Sequence, residues 1–161
     1  MIKTLLATLA AAALVIPAQA EPIKESEYNT MHSMGCMLLG ECTDGVEKVY
    51  SMLDISSQYD NTEEYTGVTG EFHNMLHSLN LVGVNVFLAD EKYFPKGHRG
   101  VYHTVSNNFF LNKNFMGSPG TLMMVMRHEG WHAAQDCMAG TIDNSLIAII
   151  KPEDEVPMIW R

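Results

Sequence analysis

Ser118-Pro119-Gly120-Thr121-Leu122-Met123-Met124-Val125-Met126-Arg127-His128-Glu129-Gly130-Trp131-His132-Ala133-Ala134-Gln135-Asp136-Cys137-Met138-Ala139-Gly140 is the stretch on which the fold turns. It reads as one helix with both ends marked. Ser118 suits the N-cap, Pro119 suits the first helical position, where an N–H would be unpaired anyway, and Gly140 suits the left-handed residue that closes a helix. His128 and His132 stand four residues apart, so their imidazoles leave one face a turn apart and can reach a single ion at about 2.0–2.1 Å. Glu129, between them in sequence, does not ligate in this pattern; it takes a proton from the attacking water and passes it to the leaving group. In a chain of this composition H-E-x-x-H arises by chance roughly 2 times in 100, before any helical context is required.

The helical wheel separates two sides. Met123, Met126, Gly130, Ala134 and Cys137 form a side expected to pack, and Val125, His128, His132 and Gln135 form one expected to line a cleft. Gly130 costs about 1 kcal/mol relative to Ala in a helix interior, which points to another backbone passing close by. Trp131 faces away from both histidines and reads as a packed aromatic.

His128-Glu129-Gly130-Trp131-His132 on a capped helix resembles the active-site helix of the zincin zinc metallopeptidases, a likeness confined to residues 118–140. The resemblance implies an α+β fold, Zn2+ held by His128 and His132, Glu129 as general base, and a peptide or protein substrate. The metzincin subgroup is excluded, because Gln135 and Met138 stand where its further Gly and His belong. Ala133, Asp136, Ala139 and Gly140 are nearer to the thermolysin-like gluzincins, which take a glutamate from a second helix as third ligand. Gly140-Thr141-Ile142-Asp143 resembles a run in the aspzincins, at a longer distance from His132 and without the Tyr-Gly that follows there.

A third ligand has several candidates. Asp136 is not one, since groups at i, i+4 and i+8 spread over about 12 Å of helix axis. It has two plausible roles, orienting His132 from outside the coordination sphere and acting as a solvated acid. Asp143, Glu153 and Glu155 remain, together with any residue beyond Arg161. Pro157-Met158-Ile159-Trp160-Arg161 reads as an apolar element just beginning, so a natural chain longer than this one is also an expectation.

Residues 1–20 combine Lys3, an apolar run from Leu5 to Ile16 and the small-residue end Ala18-Gln19-Ala20, the pattern of a secretory signal peptide. Residues 21–161 then form a single domain large enough for a core, secreted or periplasmic, and without an integral membrane anchor. The formal net charge is −9. That balance argues against nucleic acid and anionic membranes as partners. Three cysteines in an exported chain mean one pair and one left over; the local pair Cys36–Cys42 is expected, with Cys137 as the competing partner.

Met31, His32, Met34, Cys36 and Met37 are soft ligands that would suit Cu(I), yet Met31, Met34 and Leu38 have helical spacing and read better as core. Val46, Val49, Tyr50 and Leu53 predict a second amphipathic helix, and a third begins near Glu63 and Glu64 and carries His73 and His77. Leu81 to Leu88 predicts a strand, Asp90 to Gly100 a loop with Pro95 and Gly97, and Val101 to Val105 and Phe109 to Leu111 further strands. The zincin resemblance implies that Val101 to Leu111 is an edge element along which substrate is added as a strand. Tyr102 and His103 are then candidates for steadying an oxyanion.

The expectation is therefore an exported α+β zincin-like domain, N-terminal helices followed by a small sheet and the active-site helix, hydrolysing peptide bonds with zinc. Two alternatives stand beside it. One is a zinc hydrolase of a non-peptide amide, including a deformylase-like arrangement with an upstream Cys as ligand. The other is a non-catalytic metal-binding or structural exported protein.

Overall fold

The computed structural model describes residues 23–139. The proposed signal peptide, Gly140, Asp143, Glu153 and Glu155 lie outside the described residues. Within them the chain is a mixed α/β structure with four α-helices, α1 (Met31–Leu38), α2 (Met52–Ser56), α3 (Thr69–Leu81) and α4 (Pro119–Ala139), and one four-stranded sheet. The strands are β1 (Val46–Lys48), β2 (Asn85–Ala89), β3 (Gly100–His103) and β4 (Asn108–Asn112), in the order β1-β2-β4-β3. The α+β expectation stands at this level.

β2 and β4 are parallel neighbours in the middle, while β1 and β3 run antiparallel to them at the edges. A parallel pair must be covered on both faces, which is why Phe109-Phe110-Leu111 is apolar without alternation. Val86, Leu88, Phe109 and Leu111 face α3 and α4, where Phe72, Leu76, Leu122, Met123 and Met126 complete the main core. Phe87 and Phe110, paired in register and stacked at 5.3 Å, face the other way, towards Met34, Met37, Tyr93 and Phe94. Each fully buried Leu, Met or Phe in these layers contributes about 1.5–3 kcal/mol. Met34 and Met37 are thus core residues, and the copper reading of this segment gives way to packing.

Three sequence expectations are corrected. Val46, Val49, Tyr50 and Leu53 do not share a helix: Val46 opens β1 against Ala89, Val49 N–H donates to Val86 O, and Tyr50 and Leu53 are exposed on either side of the α2 N-terminus. Helical spacing at four positions cannot compete with a ladder to a partner forty residues away, for which β-branched valines are well suited. The strand predicted over Leu81 to Leu88 starts later. Leu81 ends α3, and Gly83 turns the chain at φ +82°, a conformation that only glycine adopts without cost. Lastly, β4 is an inner strand, so the edge element is β3 alone.

Cys36 and Cys42 form the expected disulfide, which ties the end of α1 to the loop before β1 rather than to a second helix. A disulfide is compatible with an oxidising, extracellular compartment. Cys137 is an exposed free thiol on α4. No helix among the described residues is long and apolar enough to cross a membrane.

Candidate metal centre

The local chemistry of α4 is as its sequence suggests. Ser118 Oγ accepts from Thr121 N–H at 3.3 Å and Ser118 O accepts from Leu122 N–H at 2.9 Å, so the cap holds the first turn. Three turns on, Nε2 of His128 and Nε2 of His132 lie 3.2 Å apart with their rings edge to face at 84°. Two nitrogens bound tetrahedrally at the usual zinc distance stand roughly 3.3 Å from one another. The pair therefore has the separation that a shared ion requires.

His132 is held in that pose from its other nitrogen. Nδ1 lies 3.0 Å from Oε1 of Gln135, an amide that is only 3 % exposed. With Nδ1–H donated to that oxygen, the lone pair of His132 is on Nε2, on the His128 side. The sequence suggested Asp136 for this role. The structure gives Asp136 to Tyr102, whose hydroxyl donates to Oδ2 at 2.6 Å and so ties β3 to α4. Burial, and next the Asp136 carboxylate beside it, push the Tyr102 hydroxyl well above its ordinary pKa. Its one proton has two acceptors at hand, Asp136 Oδ2 and, at 3.2 Å, Asn107 Oδ1, which removes Tyr102 as an oxyanion donor. His103 points to the turn, Nδ1 2.7 Å from Ser106 Oγ, and burial lowers its pKa.

Glu129 is 9 % exposed and faces a cleft of about 310 Å³ lined by Gly97, His98, Arg99, Gly100, Met124, Val125, His128 and Glu129. The wheel is corrected by this placement. The buried stripe of α4 runs through Leu122, Met126, Glu129 and Ala133, while Ala134 and Cys137, expected to pack, are exposed. Gly130 does meet a neighbour, but it is a side chain: a Cβ there would sit 3.4 Å from Met75 Cε. The close approach of a backbone occurs instead at Gly100, where a Cβ would be 2.6 Å from Val125 Cγ1, 3.1 Å from Phe110 O and 3.4 Å from Glu129 Cγ. Glycine at this position lets β3 lie against the acid.

β3 also presents an open edge here. Asn112 N–H donates to Arg99 O at 2.9 Å and Val101 is opposite Phe110, so by the alternation of an antiparallel ladder the N–H and C=O groups of Gly100 and Tyr102 point away from β4. No strand among the described residues pairs with them.

The other candidate ligands are not assembled. His73 Nε2 accepts from Met52 N–H at 3.0 Å and so caps α2, and His77 is exposed on α3. Cys36 and Cys42 are bonded to each other, and Cys42 packs on the sheet face opposite α4, so the deformylase-like arrangement loses the upstream pair as ligands. Among the described residues no three His, Cys, Asp or Glu side chains gather as a metal set. His128 and His132 are the two side chains here that could share an ion; the sequence candidates for a third ligand, Asp143, Glu153 and Glu155, lie outside the described residues.

Sequence reasoning put Gln135 on the cleft side without a role; its spacing of three from His132 was the available signal. It did not single out Gly100, His98 or Arg99. Replacing Gln135 with Leu should weaken zinc binding by about 10- to 100-fold while leaving the helix in place, because a supporting hydrogen bond is lost and no ligand is. A competitive zinc titration with a chromophoric chelator, alongside circular dichroism, checks this.

No family model matches the chain, no curated protein matches it, and no solved structure matches it.

Proposed function

We propose that this protein is an exported zinc-dependent peptidase, with His128 and His132 as two of the metal ligands and Glu129 as the general base. The observation that supports this most is the 3.2 Å approach of the two Nε2 atoms beside a cleft that also contains the Glu129 carboxylate. Zinc bound there would supply Lewis acidity towards a substrate carbonyl and bring the pKa of a water towards 7.

The chain's own residues do the rest. Gln135 holds the His132 imidazole in one tautomer. Glu129, in the cleft beside Gly100 and Val125, accepts the proton of the attacking water and returns it to the leaving amine. The outward N–H and C=O groups of Gly100 and Tyr102 receive an extended peptide as an added strand, which lays its backbone across Glu129 and fixes the attacked carbonyl by hydrogen bonds that do not depend on side-chain identity. Tyr102–Asp136 keeps that strand at a set distance from α4. An extended peptide suits this edge better than a small amide does, because the edge offers a row of backbone partners.

The test is hydrolysis of an unstructured protein by the full chain with one equivalent of zinc. Cleavage should stop with an excess of 1,10-phenanthroline and return when zinc is restored. Cleavage that persists in the chelator overturns the reading.

A further inference from the structure

The loop before β3 is Lys96-Gly97-His98-Arg99, three basic side chains within four residues of a chain whose formal net charge is −9. His98 and Arg99 line the same cleft as His128 and Glu129. We propose that this loop is a carboxylate subsite with Arg99 as its cation, so that the peptide bound along β3 is one that presents there an acidic side chain or its own C-terminal carboxylate. The proposal rests on the peptidase reading for the identity of the ligand, but not for the charge it selects.

Two observations carry it. The first is that Arg99 forms no ion pair among the described residues, whereas Arg127 holds Glu71 through two 2.8 Å bonds and Lys92 holds Asp44 at 2.7 Å. Its guanidinium lies over the Phe115 ring, 5.5 Å from the centroid. That contact uses no N–H donor, so the guanidinium keeps its N–H groups for an acceptor, and Arg can take a carboxylate through two bonds.

The second is that the loop backbone is built in. Asn112, 1 % exposed, donates from Nδ2 to His98 O at 2.7 Å and from its backbone N–H to Arg99 O at 2.9 Å, and His98 N–H closes a turn onto Pro95 O at 3.1 Å. A cation on a loop fixed in this way is placed before the ligand arrives, so less ordering entropy is lost on binding. The Glu129 carboxylate in the same cleft opposes an anion next to it, which directs the ligand's charge to the Arg99 end.

Binding is measured by titration calorimetry on the zinc-loaded full chain carrying Glu129→Gln, which is expected to bind peptide without cutting it. Three peptides share one neutral sequence: one with a single Glu and an amidated C-terminus, one with Gln and a free C-terminal carboxylate, and one with Gln and an amidated C-terminus. At least one of the first two should bind about 10- to 100-fold more tightly than the third, the range for a charge-assisted pair. Which of them gains identifies the source of the carboxylate. Arg99→Ala and Arg99→Gln should each abolish the gain and leave the neutral peptide unchanged, and Arg99→Lys should keep only part of it. Equal binding of all three peptides, undetectable binding of all three, or a gain that survives both neutral substitutions overturns the subsite. If the gain is present and Arg99-dependent while the unsubstituted protein cuts no peptide, the subsite stands and the peptidase reading fails.

Discussion

Replacing Glu129 with Gln should lower peptide hydrolysis by about 100- to 10,000-fold, the range that a positioned general base contributes, and leave zinc bound at its parent stoichiometry. The exchange keeps volume and shape at a site where Gly100 and Val125 are already in close contact, so packing is nearly unchanged. What is lost is the ability to accept a proton. A carboxylate fixed in the cleft lining is a base already positioned beside the attacking water, which bulk water replaces only at the cost of that positioning. Hydrolysis rate and zinc content measured on the same purified sample separate the two effects. Undiminished hydrolysis in a clean preparation would sink the general-base role, and loss of zinc together with activity would instead make Glu129 a ligand.

The second large effect is expected from His128→Ala and His132→Ala taken separately. Each should lower zinc content from one per chain to none detectable after dialysis, a larger loss than the roughly 10- to 100-fold that removal of a supporting partner such as Gln135 costs. The reason is geometric. The two Nε2 atoms 3.2 Å apart would chelate an ion only as a pair, and either one alone would bind it no better than a surface histidine. His73→Ala serves as the control, because that imidazole is occupied with Met52 N–H on α2 and its removal should leave zinc content unchanged. Elemental analysis of the four proteins decides the matter. Equal zinc in the parent and both alanine variants would mean that the metal sits elsewhere, and a folded parent without zinc would remove the metal centre altogether.

The amino-acid sequence by itself determined the start of α4 to the residue, because its signals are local: Ser118 and Pro119 mark it, and the spacing of His128 and His132 places both rings on one face whatever packs around them. It also determined the Cys36–Cys42 pairing, through a short loop, and the mixed α and β character of the chain. Where partners are distant in sequence, only the tertiary structure decided. Val46 to Val49 satisfied a helical pattern, yet backbone bonding to residues 86–89 made them extended, since a ladder built from two segments is invisible in either one. Asp136 and Gln135 are adjacent and both polar, and nothing local says which one supports His132; the choice was made by β3, which brings Tyr102 onto Asp136 and leaves Gln135 to the imidazole. Likewise Lys96 to Arg99 is a basic run in the sequence, and His98 and Arg99 from it become part of a cleft where β3 crosses α4 at a residue with no side chain, Gly100. Local spacing sets what a helix can present, and long-range packing sets what meets it.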